Sequence, residues 1–138
     1  VFIIGLLSSI VLVGLGSFRA RGRDARRTAD LHSVQNALEL YFTKEGRYPD
    51  ITGTDSAGWR SLVSVLVGAG IGVNVVPNDP AGSTRSYSYG DSDDGFSYVL
   101  KAKLEDSNNI VLREDVDGNV YGIDCDDSTT ESNYCIQF

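Results

Sequence analysis

The chain has 138 residues and a formal net charge of −7, enough for one small core and hardly two. The charge is unevenly spread: seven of the twelve basic residues fall in the first 47, whereas Glu105 to Phe138 hold nine acids against the single base Arg113. An acidic head is a poor general partner for nucleic acid or an anionic membrane, and one histidine with two cysteines leaves catalysis almost nothing to stand on.

The opening stretch, residues 1–18, carries no charge. As a helix it reaches about 27 Å at 1.5 Å per residue, near the lower limit for spanning a hydrocarbon core of roughly 30 Å. A secretory signal peptide would place its basic residues ahead of the apolar run; here five arginines follow it. A buried core helix would show a polar face and no such collar. The stretch therefore reads as a membrane anchor or the packed end of a stalk, and its start at Val1 reads as a processed or shortened N-terminus. The residues expected to drive assembly are Val1, Phe2, Ile3, Ile4, Gly5, Leu6, Leu7, Ile10, Val11, Leu12 and Val13. Small residues among them and just beyond, Gly5, Ser8, Ser9, Gly14 and Gly16, permit close approach of helices. The arginines Arg19, Arg21, Arg23, Arg26 and Arg27 form a charged collar, expected to pair with neighbouring subunits or lipid phosphates rather than DNA.

Beyond the collar, Leu31, Val34, Leu38 and Tyr41 recur along one helical face, with His32, Ser33, Gln35, Asn36 and Glu39 largely opposite. Gly46 and Pro49 end that helix. Gly14, Gly16 and Gly22 each weaken it by about 1 kcal/mol against Ala, so a local break is expected near the apolar boundary. Trp59, Leu62, Val63, Leu66 and Val67 predict a short second helix, stopped by Gly68, Gly70 and Gly72. Residues 75–80 make a rigid crossing loop between two prolines. Strands are predicted at 86–89, 96–104, 110–115 and 119–124, with a hairpin turn at Asp117-Gly118. Helices first and strands afterwards give an α+β fold: a stalk, residues 1–45, whose C-terminal half packs on the antiparallel sheet of a head, residues 46–138.

Cys125 and Cys135 lack the spacing of a redox or zinc site. A disulfide between them would close a loop of about ten residues and stabilise by roughly 2–3 kcal/mol; two unrelated thiols are the alternative. Such bonds persist in exported compartments, so the head reads as exported, although arginines flanking a span normally stay in the cytoplasm. Asp115-x-Asp117-x-Asn119, with Asp124, Asp126 and Asp127 close behind, alternates oxygen ligands as calcium loops do. Val120 and Asp126 stand where such a loop needs Gly and Glu, and a hairpin with solvated carboxylates reads equally well. The aromatic residues read as core, no haem signature is present, and no other cofactor is implied. Ser83, Thr84, Ser86 and residues 128–132 are exposed hydroxyl candidates for O-linked sugars, with polar loop as the default.

These residues carry a resemblance. Gly5-Leu6-Leu7-Ser8-Ser9-Ile10-Val11-Leu12-Val13, Arg23-Asp24-Ala25-Arg26-Arg27, Asp30-Leu31, Ala37-Leu38-Glu39-Leu40-Tyr41 and Gly46-Arg47-Tyr48-Pro49 resemble bacterial type IV pilins and type II secretion pseudopilins. Trp59…Leu62, Pro77-Asn78-Asp79-Pro80 and Tyr87-Ser88-Tyr89 are similar to the same family more loosely. The N-methylated first residue and the assembly glutamate of that family are not present, and on this alignment the chain starts about nine residues late. The resemblance implies a long N-terminal helix on an antiparallel sheet. It implies a homo-oligomer: a subunit held in the inner membrane, then built by pilus or secretion machinery into an extracellular helical filament. Adhesion, surface motility and DNA uptake are the tasks such filaments serve. A major pilin is the first reading, because the cysteine-closed loop is similar to the disulfide-bounded loop of pilins. A pseudopilin is the second, since major pseudopilins bind calcium in this part of the head. A monomeric membrane-anchored binding module is the third.

Overall fold

The computed structural model describes residues 2–128 and 130–138. Helix α1, Phe2–Glu45, is a single run of 44 residues, about 66 Å long at 1.5 Å per residue. The break expected at Gly14, Gly16 and Gly22 does not occur. A Cβ at Gly16 or Gly22 would meet nothing within 4 Å, so these glycines mark open surface rather than a bend. α1 ends where Gly46 turns into the left-handed region (φ 76°) and bonds back to Phe42 O at 2.8 Å, as a helix stop of this type does.

Helix α2, Ser56–Gly68, begins at Asp55, whose side chain accepts the N–H groups of Ala57 and Gly58. That cap satisfies donors the first turn would otherwise leave open. Three strands form the main antiparallel sheet, β1 (Ser88–Asp91), β2 (Tyr98–Lys103) and β5 (Asn133–Gln137), in the order β1-β2-β5. Tyr89 opposes Leu100, and Leu100 opposes Ile136 on the other side. A two-stranded ribbon, β3 (Asn119–Val120) and β4 (Ile123–Asp124), lies separately.

The strand alternation divides the interior in two. Tyr98, Leu100 and Ala102 face α1 and α2, joining Leu31, Val34 and Leu38 from the first helix and Trp59, Leu62 and Leu66 from the second. Val99 faces the other way, into a smaller cluster with Ile123 and the two cysteines. Two aromatic hydroxyls of the larger core bond to carboxylates of α1, Tyr87 to Asp30 at 2.6 Å and Tyr48 to Glu39 at 2.8 Å. The helical stripe expected from the sequence is therefore the seam between stalk and head.

Three local expectations are corrected. Residues 110–115 are not a strand: Ile110–Arg113 is a 3-10 turn, because the Asn109 side chain accepts from Val111 N and caps it. A short polar side chain bonding its own backbone here outweighs the β-propensity of Ile-Val-Leu. The hairpin turns at Tyr121-Gly122, both with positive φ (49° and 78°), rather than at Asp117-Gly118. The pair Val120↔Ile123 brackets those two residues, which is the geometry of a two-residue primed turn. Finally, the C-terminal loop contains β5, whose central residue is Cys135.

Candidate functional site

Three features stand out as candidates: the free end of α1, the arginine collar, and the acidic C-terminal region. From Asp24 onward, one face of α1 is buried against the head; before it, the described side chains are exposed or half exposed. Ile3 is 73% exposed, Ile4 70% and Phe18 68%. Gly5 is also exposed. Val1 lies outside the described residues, as do the side chains of Phe2, Leu6, Leu7, Ile10, Val11, Leu12 and Val13. Among the described residues no helix is long and apolar enough to cross a membrane.

The collar does something the sequence reading missed. Arg27 is wholly buried. Its Nε and Nη2 donate to the two carboxylate oxygens of Asp79 at 2.8 and 2.9 Å, and its Nη1 donates to Asp24 at 2.8 Å. Asp24 in turn accepts the backbone N–H groups of Glu105 and Asp106, each at 2.9 Å at the nearest. Arg23 pairs with Glu105, with Nη2 to Oε2 at 2.6 Å. Arg21 and Arg26 make longer, exposed contacts with Asp106 and Asp30, at 3.5 and 3.8 Å. The collar is thus largely an internal clamp that fixes α1 to the crossing loop and to the segment after β2. Arg19 alone of the five has no ion-pair partner among the described residues.

Within the clamp, burial works against the charge on Arg27, but its bonds to Asp79 and Asp24 prevail and hold its pKa above the ordinary value. Burial pushes Asp79 up, but its bonds from Arg27 and from the N–H of Ala81 outweigh that and leave it below the usual carboxylate range. The bond from Arg23 holds Glu105 low as well. The fork of Arg27 on Asp79 is bidentate, a geometry lysine cannot reproduce. Stripe and clamp are continuous: Asp24, Arg27, Leu31, Val34 and Leu38 follow the same helical spacing. Running the apolar stripe backwards through the sequence would have found this pair.

In the C-terminal region, Cys125 and Cys135 form a disulfide with Cα atoms 5.8 Å apart, joining the ribbon to β5. The calcium set expected from the sequence is only partly assembled. Asp115 and Asp117 come together, and the third carboxylate beside them is Asp127. Asp126 accepts from Gly118 N, and Asp124 from Asp126 N; these two serve the backbone. Asn119 is exposed in β3, opposite Asp124. Oxygens of Asp115, Asp117 and Asp127 lie within 4.8 Å of one another. Burial, and then the charges of Asp127 and Asp117, push the Asp115 carboxyl up to about 6. Thr129 lies outside the described residues.

No known protein family, no curated protein and no solved structure matches this chain. What is established is the architecture: an α+β protein with a long N-terminal helix and a small three-stranded antiparallel sheet.

Proposed function

We propose that the chain is a structural subunit that polymerises through its N-terminal helix into an extracellular filament of the type IV pilin kind. The observation that carries this reading is the one helix with two environments. Its second half supplies a face of the head core, while Ile3, Ile4, Leu15 and Phe18 stand in solvent. Each such side chain gains about 1.5–3 kcal/mol when fully buried, and the head leaves all four exposed. Other stalks or lipid must cover them. The disulfide supports an oxidising, exported setting for the head. The pseudopilin alternative is favoured by the cluster of Asp115, Asp117 and Asp127, which suits a hard cation in its choice of ligands.

The test is electron microscopy of material sheared from cells, with mass spectrometry of its main protein. Filaments composed of this chain are expected, and Leu7→Asp or Val11→Asp should abolish them while the head still folds. Protein confined to the membrane fraction would refute the pilin reading, and intact filaments from either variant would refute the role of the helix.

A further inference from the structure

Between α1 and the C-terminal region lies an open groove of about 370 Å³. His32 and Gln35 of α1 form one wall; Val111, Glu114, Asp115 and Ile136 form much of the rest. It combines apolar surface with unpaired negative charge. Val111 and Ile136 are half buried and pack on the main core, whereas Glu114 is exposed. Asp115 spends Oδ2 on the N–H of Cys135 at 2.9 Å, and its buried Oδ1 has no partner. Neither acid has an ion-pair partner among the described residues.

The complementary chemistry is on the stalk. Phe18 is exposed, and beside it stands Arg19, the collar arginine that the clamp leaves unpaired. An aromatic ring next to a free guanidinium matches an apolar groove rimmed by free carboxylates. The two cannot meet within one molecule. On a continuous helix Arg19 lies about 20 Å along the axis from His32, and the pair Phe18–Arg19 faces about 120° around the axis from His32 and Gln35.

We infer that this groove receives Phe18 and Arg19 from the stalk of a second copy of the chain, a contact that rests on the filament reading above. Because it joins unlike surfaces with an axial offset and a rotation, it is heterologous. Repetition of such a contact propagates an open helix unless the rotation closes a ring. The charge excess of the C-terminal region thereby acquires a partner: each head neutralises the spare arginine of its neighbour, and the pairing fixes which way subunits stack.

The experiment is a charge exchange in the full-length chain. Arg19→Glu and Glu114→Arg should each lower the yield of sheared filaments on the order of tenfold or more, as expected for reversing one member of an interfacial pair. The double variant should restore it. In parallel, cells co-expressing Arg19→Cys and Glu114→Cys chains should yield a mixed disulfide-linked dimer that neither chain gives alone. Wild-type filaments with no rescue in the double variant, or linkage of Arg19→Cys chains to one another, would overturn the contact while leaving the filament reading intact. A mixed dimer in membranes that yield no filaments would keep the contact and sink that reading; loss of both results would sink both. Saturable calcium binding by the full chain that is lost in Glu114→Gln would assign these carboxylates to an ion and also overturn the contact.

Discussion

Arg27 shows how a single side chain can decide a joint. Its burial with Asp24 and Asp79 brings three charges out of water, which is tolerable only because the guanidinium satisfies both carboxylates at once. Removing it leaves two buried carboxylates without their cation, a loss of about 3–5 kcal/mol by comparison with other broken buried pairs. Arg27→Ala is therefore expected to unfold the head early in a denaturant titration of the full chain in detergent, and Arg27→Lys to recover only part of the loss. Arg26→Ala, which removes an exposed contact at 3.8 Å, should change stability by less than about 1 kcal/mol. Asp115 works in the opposite sense from the clamp. Its carboxyl is raised to about 6, so the folded state holds the proton more tightly than the unfolded chain. The stability it contributes is present at acid pH and is lost as pH rises from about 4, the ordinary carboxylate value, through 6. Asp79 and Glu105 are lowered, and their contribution is lost only as pH falls below the usual carboxylate range. Melting temperatures between pH 4 and 8 should thus decline towards neutrality, and Asp115→Asn should flatten that decline, with the gain seen at pH 7.5 and not at pH 4.

At the scale of elements, the sequence was most legible where periodicity was long. The stripe Leu31, Val34, Leu38 on α1 and Trp59, Leu62, Leu66 on α2 is the larger core as folded. Legibility failed where a local hydrogen bond outbid the pattern, as at Asn109 ahead of the 3-10 turn. It failed again at β5: Tyr134 and Ile136 alternate with Cys135 as a half-buried strand should, but the cysteines drew the reading towards a loop. The carboxylate cluster differs from the set expected for calcium for a related reason. Asp124 and Asp126 accept backbone N–H groups while Asp127 comes beside Asp115 and Asp117, so neighbours in sequence are not neighbours in space. Two glycines show the same divide between pattern and packing. A Cβ on Gly58 would fall 1.9 Å from the carbonyl oxygen of Gly53, whereas one on Gly22 would meet nothing. Gly58→Ala should therefore cost about 1–3 kcal/mol through forced backbone movement. Gly22→Ala should stabilise α1 by roughly 0.5–1 kcal/mol, a contrast measurable by thermal unfolding monitored by circular dichroism.

For the whole molecule, stalk and head divide the work cleanly. Among the described residues the buried face of α1 begins at Asp24, so the described side chains before it add nothing to the head core. A chain beginning at Arg19 should keep its melting temperature within a few degrees of the full chain and remain monomeric in sedimentation, whereas Leu38→Ala should cost about 2–5 kcal/mol. The long helix and the α+β division could be read from the order of apolar, basic and strand-like segments alone. The clamp's partners on the head and the groove could not, because each joins segments far apart in the chain: Arg27 meets Asp79 and Glu105, and His32 and Glu114 line one groove. Such pairings carry no periodicity to be read.

The strand order β1-β2-β5 also has a consequence for how the chain is made. β2 is the central strand, yet one of its two partners begins at Asn133, about thirty residues after β2 ends at Lys103. At the 5–20 residues per second typical of synthesis, that hydrogen-bonding edge stays bare for roughly 2–6 seconds. During this interval the nascent head offers an unpaired edge to any neighbouring chain. Cys135 lies in the middle of the late strand and opposes Lys101, so oxidation with Cys125 seals the edge as it closes. Timely disulfide formation is then a protection against premature strand exchange as well as a source of stability.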